Sequence, residues 1–225
     1  MTRASQYCEA FCDKRRKNLN DILYNSAIKY KNMLNKEYNI VVGRKCKEYK
    51  IYLRFTKDTY FHLAGLQHLT DLTFPSKNKE RIYKEILQKN ITIETLKKSV
   101  FYDEYYIEER ITNLEKLEEM LDSCQFVFLI NHNEYIKYTR IYADYLCEHI
   151  LSENEKGKLY FFVVKMRNPS IEDECRGCSF FKKHEKDYRK GTSGTKLLLN
   201  QKYIDRDKKT EQKIELFRHP KYEKY

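Results

Sequence analysis

The sequence contains few of the residues that loosen a chain, and it contains no long apolar run. Only 6 glycines and 3 prolines occur among 225 residues, so long flexible linkers are not expected. No stretch approaches the ~20 consecutive apolar residues that a membrane-spanning helix needs. The 41% hydrophobic content is enough for a real core. These features favour a folded, soluble chain with no membrane partner.

Signatures of cofactor and metal chemistry are also missing. There is no Walker phosphate loop, no HExxH and no GxGxxG, and no carboxylate cluster indicates a magnesium site. Seven cysteines, an odd number, and no apolar secretory core argue for reduced thiols and a cytoplasmic location. The close pairs, Cys8 with Cys12 and Cys175 with Cys178, are weak zinc candidates, because a structural site needs four ligands. We therefore expect no metal and no cofactor.

The charge of the chain is strongly positive. Lys and Arg number 44 against 33 Asp and Glu, which gives a formal net charge of +11. This excess is consistent with a polyanionic partner, and equally with a basic surface that has no specific partner. Twenty tyrosines favour nucleic acid, because bases stack on aromatic faces while cations hold phosphates.

The residue pattern predicts an α+β fold in which a mainly helical N-terminal half packs on a C-terminal antiparallel β-sheet. Apolar residues at helical spacing predict a helix between Asn20 and Tyr38 and others as far as Ser123, interrupted by a hairpin of "YNIVVGRK" and "EYKIYLRF". Six later segments predict strands, namely "QFVFLIN", "YTRIYADYL", "KLYFFVV", "CSFF", "KLLLNQKYI" and "QKIELF". The third, "KLYFFVV", has no polar alternation and is expected to be a central strand covered on both faces. We expect residues 1–19 to form a basic extension and residues 20–225 to form one domain.

His62 is the first candidate for chemistry. It lies in "DTYFHLAGLQHLTDL" on the helical face that carries Gly65, Leu66 and Leu69, so it points inward or along a cleft wall. It is either a packed neutral histidine with one hydrogen bond or a group that transfers protons near neutral pH. Gly65, one turn later, lowers helix stability and is typical of close approach by another backbone or a ligand.

Two arginines are candidates for binding phosphate. Arg54 lies on the polar face of its strand just before this helix, and Arg110 flanks the apolar stripe of "EYYIEERITNLEKLEEMLDS". Each is either a solvated arginine or, if one cleft gathers them, a bidentate ligand of phosphate.

The densest basic and aromatic segment is "CRGCSFFKKHEKDYRKGTSGTKLLLNQK", which resembles a strand, a basic loop and a returning strand. Cations interleaved with aromatic rings suit single-stranded RNA, whereas the alternative is a solvated hairpin loop. The residues concerned are Arg176, Lys182, Lys183, Lys186, Arg189, Lys190, Lys196 and Lys202, with Phe180, Phe181 and Tyr188.

Several motifs in fixed order resemble one protein family. They are "FHLAGLQHL" after a strand, "RIYKEIL", "KKSVFY" before a helix with "ERI", "YADYL", and "SFFKKHEKDY" followed by "KLLLNQK". This order, from about Leu34 to Ile214, resembles the fourth group of phage- and plasmid-associated Barnase-EndoU-Colicin-RelE-like nucleases. The resemblance implies a compact α+β fold and metal-independent RNA cleavage, often by toxins or effectors in conflicts between bacteria and mobile elements.

The implied chemistry is transesterification by a ribose 2′-hydroxyl, which requires a group that titrates near neutrality and cations facing the phosphate oxygens. We assign the first role to His62. The second falls to Arg110 or Arg54, with Ser179 as a hydrogen-bond donor. The residues expected to hold the RNA strand are Lys182, Lys183, Tyr188, Lys196 and Lys202.

The expected function is a metal-independent endoribonuclease that acts on tRNA or mRNA, with an antitoxin or host protein as a further possible partner. Two alternatives remain open. One is a non-catalytic RNA-binding module. The other is a phage-encoded inhibitor that binds a host nucleoprotein through its basic surface.

Overall fold

The structure, a computed structural model, describes residues 21–206 and 208–222. The expected basic extension at residues 1–19 and the pair Cys8 and Cys12 lie outside these residues. In the first half of the chain, one helix precedes a β-hairpin and further helices follow it. Their bounds are α1 (Ile22–Lys31), α2 (Lys57–Leu63), α3 (Lys79–Leu87), α4 (Ile93–Leu96), α5 (Ile107–Asn113), α6 (Leu117–Ser123) and α7 (His132–Tyr135), with 3-10 turns at Leu66–His68 and Leu114–Lys116.

Nine strands of the described chain form one sheet in the order β7-β3-β4-β5-β6-β2-β1-β8-β9. Their bounds are β1 (Lys36–Arg44), β2 (Lys47–Arg54), β3 (Phe126–Ile130), β4 (Tyr145–Ile150), β5 (Lys158–Lys165), β6 (Glu174–Lys182), β7 (Thr192–Gly194), β8 (Lys196–Ile204) and β9 (Gln212–Arg218). The α+β class is confirmed.

Three details differ from the expected arrangement. The sheet is not confined to the C-terminal half, because β1 and β2 pair as a hairpin and enter its middle. The sheet is not wholly antiparallel, because β2 and β6 pair in parallel. The expected return of the basic loop onto its own strand is wrong, because β8 pairs with β1 rather than with β6.

The long helix expected after Tyr106 is divided, and the first helix is shorter than expected. A 3-10 turn separates α5 from α6. The chain leaves α1 at Lys31 and begins β1 at Lys36, so the helical pattern does not continue to Tyr38. None of the helices in the described ranges is long and apolar enough to cross a membrane.

Two hydrophobic clusters cover opposite faces of the sheet. The larger packs the helices against one face, and the smaller lies beneath α7 and the loop that carries Tyr188. β5 contributes to both, since Phe161 belongs to the first cluster while Tyr160 and Phe162 belong to the second. Its apolar residues without polar alternation are explained by burial on both faces, as the sequence predicts.

Strand β6 positions the candidate functional side chains. β6 pairs with β2 only at Glu174 and Cys175, so beyond this point its edge has no strand partner within residues 21–206 and 208–222. Helices α2 and α5 pack against it instead. Side chains from two helices and from the following loop therefore meet along this edge.

Candidate active site beside the β6 edge

Arg110 of α5 reaches across the edge of β6. Its Nε donates to the carbonyl oxygen of Tyr105 at 3.0 Å. Its Nη1 lies 3.5 Å from Ser179 Oγ and 3.5 Å from the carbonyl oxygen of Phe180. The guanidinium carbon lies 4.7 Å from the centre of the Phe181 ring. These contacts fix the guanidinium at one position, with Ser179 beneath it.

The charge of Arg110 is not neutralised by an ion pair with any described residue. Burial lowers the pKa of its guanidinium to about 10, with small opposing effects from Tyr188 and Glu109, so it stays protonated at neutral pH. A largely buried cation held by carbonyl and hydroxyl oxygens, without a carboxylate at contact distance, is suited to receive an anion.

A histidine and a carboxylate lie next to this guanidinium. His184 Nε2 is 3.5 Å from Glu109 Oε2, and the His184 ring stacks on Tyr106 with centroids 3.9 Å apart. Glu109 Oε1 is buried and has no hydrogen-bond partner among the described residues. The pair thus offers a free acceptor oxygen and an imidazole, the groups that proton transfer needs.

Tyr106 carries backbone strain at this site. It precedes α5 in the left-handed conformation, with φ 52° and ψ 44°, and its side chain is 51% exposed. This conformation costs a residue with a Cβ roughly 1–2 kcal/mol. Strain of this kind is typical of functional sites, and here it holds the ring on which His184 stacks.

These groups surround one small cleft of about 190 Å³. Its walls combine acidic, basic and aromatic side chains. They are Glu104, Tyr105, Tyr106, Glu109, Arg110, Phe181, Lys182, His184, Lys186 and Tyr188. We call it the Arg110 cleft.

His68 is half-buried and lies close to the Arg110 cleft. Its ring stacks on Tyr105 with centroids 4.3 Å apart. Burial, and then the charges of Arg110 and His62, lower its pKa to about 4. His68 is therefore neutral at neutral pH and supports Tyr105 rather than donating a proton.

His62 does not join Arg110 and Ser179. It lines a second cleft of about 750 Å³ together with Arg176, and its Nε2 lies 2.7 Å from Lys79 Nζ. Burial, and then the charges of Lys79 and Arg176, lower its pKa, against a smaller opposing effect of Asp58. The side chain is half-buried, and the cleft that it lines also contains Lys165, Arg167 and Arg176.

Arg54 does not join the Arg110 cleft either. Its Nε lies 2.8 Å from Glu37 Oε1, and its Nη1 lies 3.7 Å from Glu174 Oε1. The cleft that it lines also contains Arg206, which contacts Glu37 as well. The two arginines gathered in that cleft serve an ion-pair network rather than a free phosphate site.

The expected strand-holding lysines are divided between distant strands. Lys182 and Tyr188 line the Arg110 cleft, and Lys183 follows Lys182 directly. Lys196 and Lys202 belong to β8, which lies three strands from β6, a separation of roughly 14 Å. The different pairing of β8 removes these two lysines from the site.

Lys202 also has partners of its own. Its side chain is 8% exposed, and its Nζ lies 2.7 Å from Glu118 Oε1 and 2.8 Å from Asp122 Oδ2. Burial lowers its pKa, but the hydrogen bonds to Asp122 and Glu118 outweigh this effect and raise the pKa overall. It ties α6 to the sheet, which contradicts the expected role in holding RNA.

The cysteines of "CRGC" face opposite sides of the sheet. Cys175 is buried in the larger cluster, whereas Cys178 packs against the smaller one. No group of three or more His, Cys, Asp or Glu side chains in the described part of the chain is arranged to hold a metal ion.

The sequence reasoning did not identify Glu109 and His184, the histidine–carboxylate pair of the Arg110 cleft. Glu109 lies within "ERI" and His184 within "FFKKHEKDY", two of the motifs that carried the family resemblance. The lysines and the helical position of His62 were the stronger signals, so Glu109 and His184 had no assigned role. Titratable residues inside the shared motifs were the signal that could have identified them.

Comparison with known proteins agrees with the motif order. A family model described as phage-Barnase-EndoU-ColicinE5/D-RelE like nuclease4 matches residues 22–221. No curated protein and no solved structure matches the chain.

Proposed function

The chain belongs to the phage-Barnase-EndoU-ColicinE5/D-RelE-like nuclease family, group 4, and from this membership we propose that it is a metal-independent endoribonuclease whose active site is the Arg110 cleft. The observation that carries the proposal is the juxtaposition of three groups. A partly buried cation without an ion pair in the described chain, Arg110, lies beside the histidine–carboxylate pair of His184 and Glu109.

The reaction is attack of a ribose 2′-oxygen on the adjacent phosphorus. The bond from phosphorus to the 5′-oxygen breaks, and the products are a 2′,3′-cyclic phosphate and a 5′-hydroxyl. The Glu109 carboxylate, whose side chain is 35% exposed, takes the proton of the 2′-hydroxyl, and protonated His184 gives a proton to the departing 5′-oxygen. Their 3.5 Å contact allows the proton to return from Glu109 to His184 after the reaction.

Arg110 faces the nonbridging oxygens, where negative charge increases in the transition state. A prearranged donor of this kind contributes about 100- to 1000-fold to the rate. Ser179 accepts a hydrogen bond from Arg110 and acts as a positioning residue rather than as a catalytic donor. The same cleft is lined by Lys182, Lys186 and Tyr188, which bind the rest of the nucleotide.

The test is cleavage of a mixed tRNA and mRNA pool by the purified protein in EDTA. We expect products that end in cyclic phosphate, and no cleavage of DNA, which lacks the 2′-hydroxyl. Arg110→Lys should lower kcat by about 100- to 1000-fold, because a point charge replaces a planar fork of donors. His184→Ala and Glu109→Gln should each lower it by about 100- to 10,000-fold.

The matched control is His219→Ala, a histidine that follows β9 and does not line the Arg110 cleft. It should keep wild-type activity. Intact RNA with wild-type protein would refute the proposal. Salt-sensitive binding without a cyclic-phosphate product would instead select a non-catalytic RNA-binding module. Nuclease-resistant co-purification of one host protein would select an inhibitor of a host nucleoprotein.

The proposed biological role is that of a toxin or effector of a phage or mobile element, acting in the cytoplasm. It rests on the family assignment together with the proposed activity. Expression of the wild-type chain should arrest growth, whereas His184→Ala at equal protein level should not. Equal growth of the two strains would contradict the role.

A further inference from the structure

The second cleft, which contains His62, lies between α2 and β6. Its cationic side chains are Arg176, Lys165 and Arg167, and its two carboxylates are those of Asp58 and Asp144. We call it the Arg176 cleft. Lys165 pairs with Asp173, with Nζ 3.6 Å from Oδ1, whereas Arg167 makes no ion pair within residues 21–206 and 208–222. An excess of cations in a cleft without enough carboxylates to neutralise them favours an anionic ligand.

The two carboxylates of this cleft already have hydrogen-bond partners within the protein. Asp144 Oδ2 accepts the backbone N–H of Lys165 at 2.7 Å, and Asp144 Oδ1 lies 3.0 Å from His132 Nε2. Asp58 Oδ1 accepts from the Thr56 hydroxyl at 2.5 Å. Arg176 Nη1 reaches only to 3.8 Å from Asp58 Oδ2, beyond hydrogen-bond distance. The guanidinium of Arg176 therefore retains donors for another partner.

His62 holds a further cation, the ammonium of Lys79, at this wall. Its neutral ring accepts a hydrogen bond from Lys79 at 2.7 Å, and Lys79 has no ion pair with any described carboxylate. The Lys79 ammonium is thus held at the edge of the cleft by a neutral partner. A phosphate that arrives here meets two cations, Lys79 and Arg176, and an imidazole that gains a favourable charge neighbour when protonated.

A β-bulge aligns this cleft with the Arg110 cleft. The register of β6 on β5 shifts where Phe162 pairs with Ser179 and Val163 pairs with Gly177, so Cys178 is the extra residue. In a regular strand Arg176 and Ser179 would point to opposite faces, whereas one extra residue brings them to the same face. They are roughly 10 Å apart along the strand.

His68 lies near residues of both clefts, and an exposed aromatic ring borders each cleft. His68 lies within electrostatic reach of both Arg110 and His62. Tyr106 borders the Arg110 cleft, and Tyr142, 66% exposed, borders the Arg176 cleft. Exposed rings beside anion sites suit the unstacked bases of a single strand.

From these observations we propose that the Arg176 cleft binds a neighbouring phosphodiester of the same single-stranded RNA whose scissile phosphate is held by Arg110. The RNA then runs along the edge of β6 beyond Cys175. This substrate class rests on the proposed ribonuclease function, but the binding part can be tested without cleavage.

The experiment compares the wild-type chain with the Arg167→Gln/Arg176→Gln double variant. The ligand is a fluorescent single-stranded pentanucleotide with 2′-O-methyl groups, which cannot be cleaved by transesterification. We expect the double variant to bind about tenfold more weakly. The slope of log affinity against log salt should fall by about 0.7 for each phosphate that the variant no longer neutralises. The control Lys209→Gln, at an exposed lysine outside both clefts, should bind like wild type.

Cleavage of a short and a longer substrate shows which cleft the double variant affects. The double variant should cleave a dinucleotide with an unchanged kcat/KM and a ribose-containing pentanucleotide with a raised KM, because the dinucleotide fills only the Arg110 cleft. Equal pentanucleotide affinity in wild type and double variant would overturn the proposal. Equal impairment on both substrates would also overturn it, since the arginines would then act on the Arg110 cleft.

A spectroscopic measurement tests the site directly. The pKa of His62, followed by NMR, should rise when the 2′-O-methyl pentanucleotide binds, because phosphate charge offsets Lys79 and Arg176. An unchanged His62 pKa would place the RNA elsewhere and refute the proposal.

If the protein binds this ligand but cleaves no RNA, the ribonuclease proposal fails while the second site stands. If an acidic peptide competes for the cleft and the RNA does not bind, the inference itself fails.

Discussion

At the scale of single residues, the Arg110 cleft depends on a glycine in another segment. A Cβ on Gly65 would lie 2.7 Å from Arg110 Cδ and 3.2 Å from Ile107 Cδ1. Gly65 also adopts φ +76°, which a residue with a Cβ rarely adopts. The sequence indicated close approach at this glycine, and the group that approaches is the Arg110 side chain rather than a backbone or a ligand.

Gly65→Ala should therefore reduce both stability and activity. We expect the free energy of unfolding to fall by about 1–3 kcal/mol, from the left-handed backbone and the clash. We expect kcat to fall at least tenfold, because the guanidinium must move. Urea denaturation and the cleavage assay measure these effects. The control is Gly194→Ala, where the added Cβ would lie 3.8 Å from Phe128, an ordinary contact. Wild-type activity in Gly65→Ala would contradict the positioning of Arg110 by Gly65.

At the scale of elements, the junction between α6 and the sheet is ionic on its outer side. Lys202 of β8 contacts Glu118 and Asp122 of α6, and the Tyr38 hydroxyl of β1 donates to Asp122 at 2.7 Å. An ammonium that is 8% exposed needs these partners, because burial of an unpaired charge is strongly unfavourable. The pattern of "KLLLNQK" marked Lys202 as basic but not as paired, since its partners lie about 80 residues earlier.

Lys202→Met should lower the free energy of unfolding by about 2 kcal/mol. This value lies below the usual loss for a broken buried pair, because the carboxylates of Glu118 and Asp122 are about a third exposed. The midpoint of urea denaturation measures it, with exposed Lys209→Met as the control. Unchanged stability together with weaker RNA binding would contradict the structural role and return Lys202 to the phosphate-binding set.

At the scale of the whole molecule, several histidines are held neutral by burial. Burial is the largest cause of the lowered pKa at His62, His68 and His149. When the pH falls below about 6.5, the unfolded chain takes up protons at these positions before the folded chain does. Acid therefore favours the unfolded state, and it adds positive charge to a chain whose formal net charge is already +11.

Stability should consequently decrease between pH 7 and pH 5. His68, with a pKa of about 4, accounts for about 1–2 kcal/mol of this decrease after allowance for solvent screening. Urea denaturation at the two pH values measures the loss, and His68→Gln should make it smaller by that amount. An equal pH dependence in wild type and variant would contradict the neutral, buried state of His68.

The sequence by itself determined the class of fold and most of its elements. Local periodicity located the β1–β2 hairpin and predicted β5 as a strand covered on both faces, because side-chain burial follows the pleat. Motif order indicated the family, which the family model confirms. The nucleic-acid partner that charge and aromatic content favour stays a prediction. Of the catalytic residues expected from the sequence, Arg110 and Ser179 are brought together by the structure.

Only the tertiary structure decided which side chains share a cleft. Glu109 meets His184 across 75 positions of sequence, which depends on α5 covering the β6 edge beyond its pairing with β2. The pairing of β8 with β1 separates Lys196 and Lys202 from the loop that precedes them. Local patterns carry no information about strand order or about a single-residue bulge, because both follow from packing between segments that are distant in the chain.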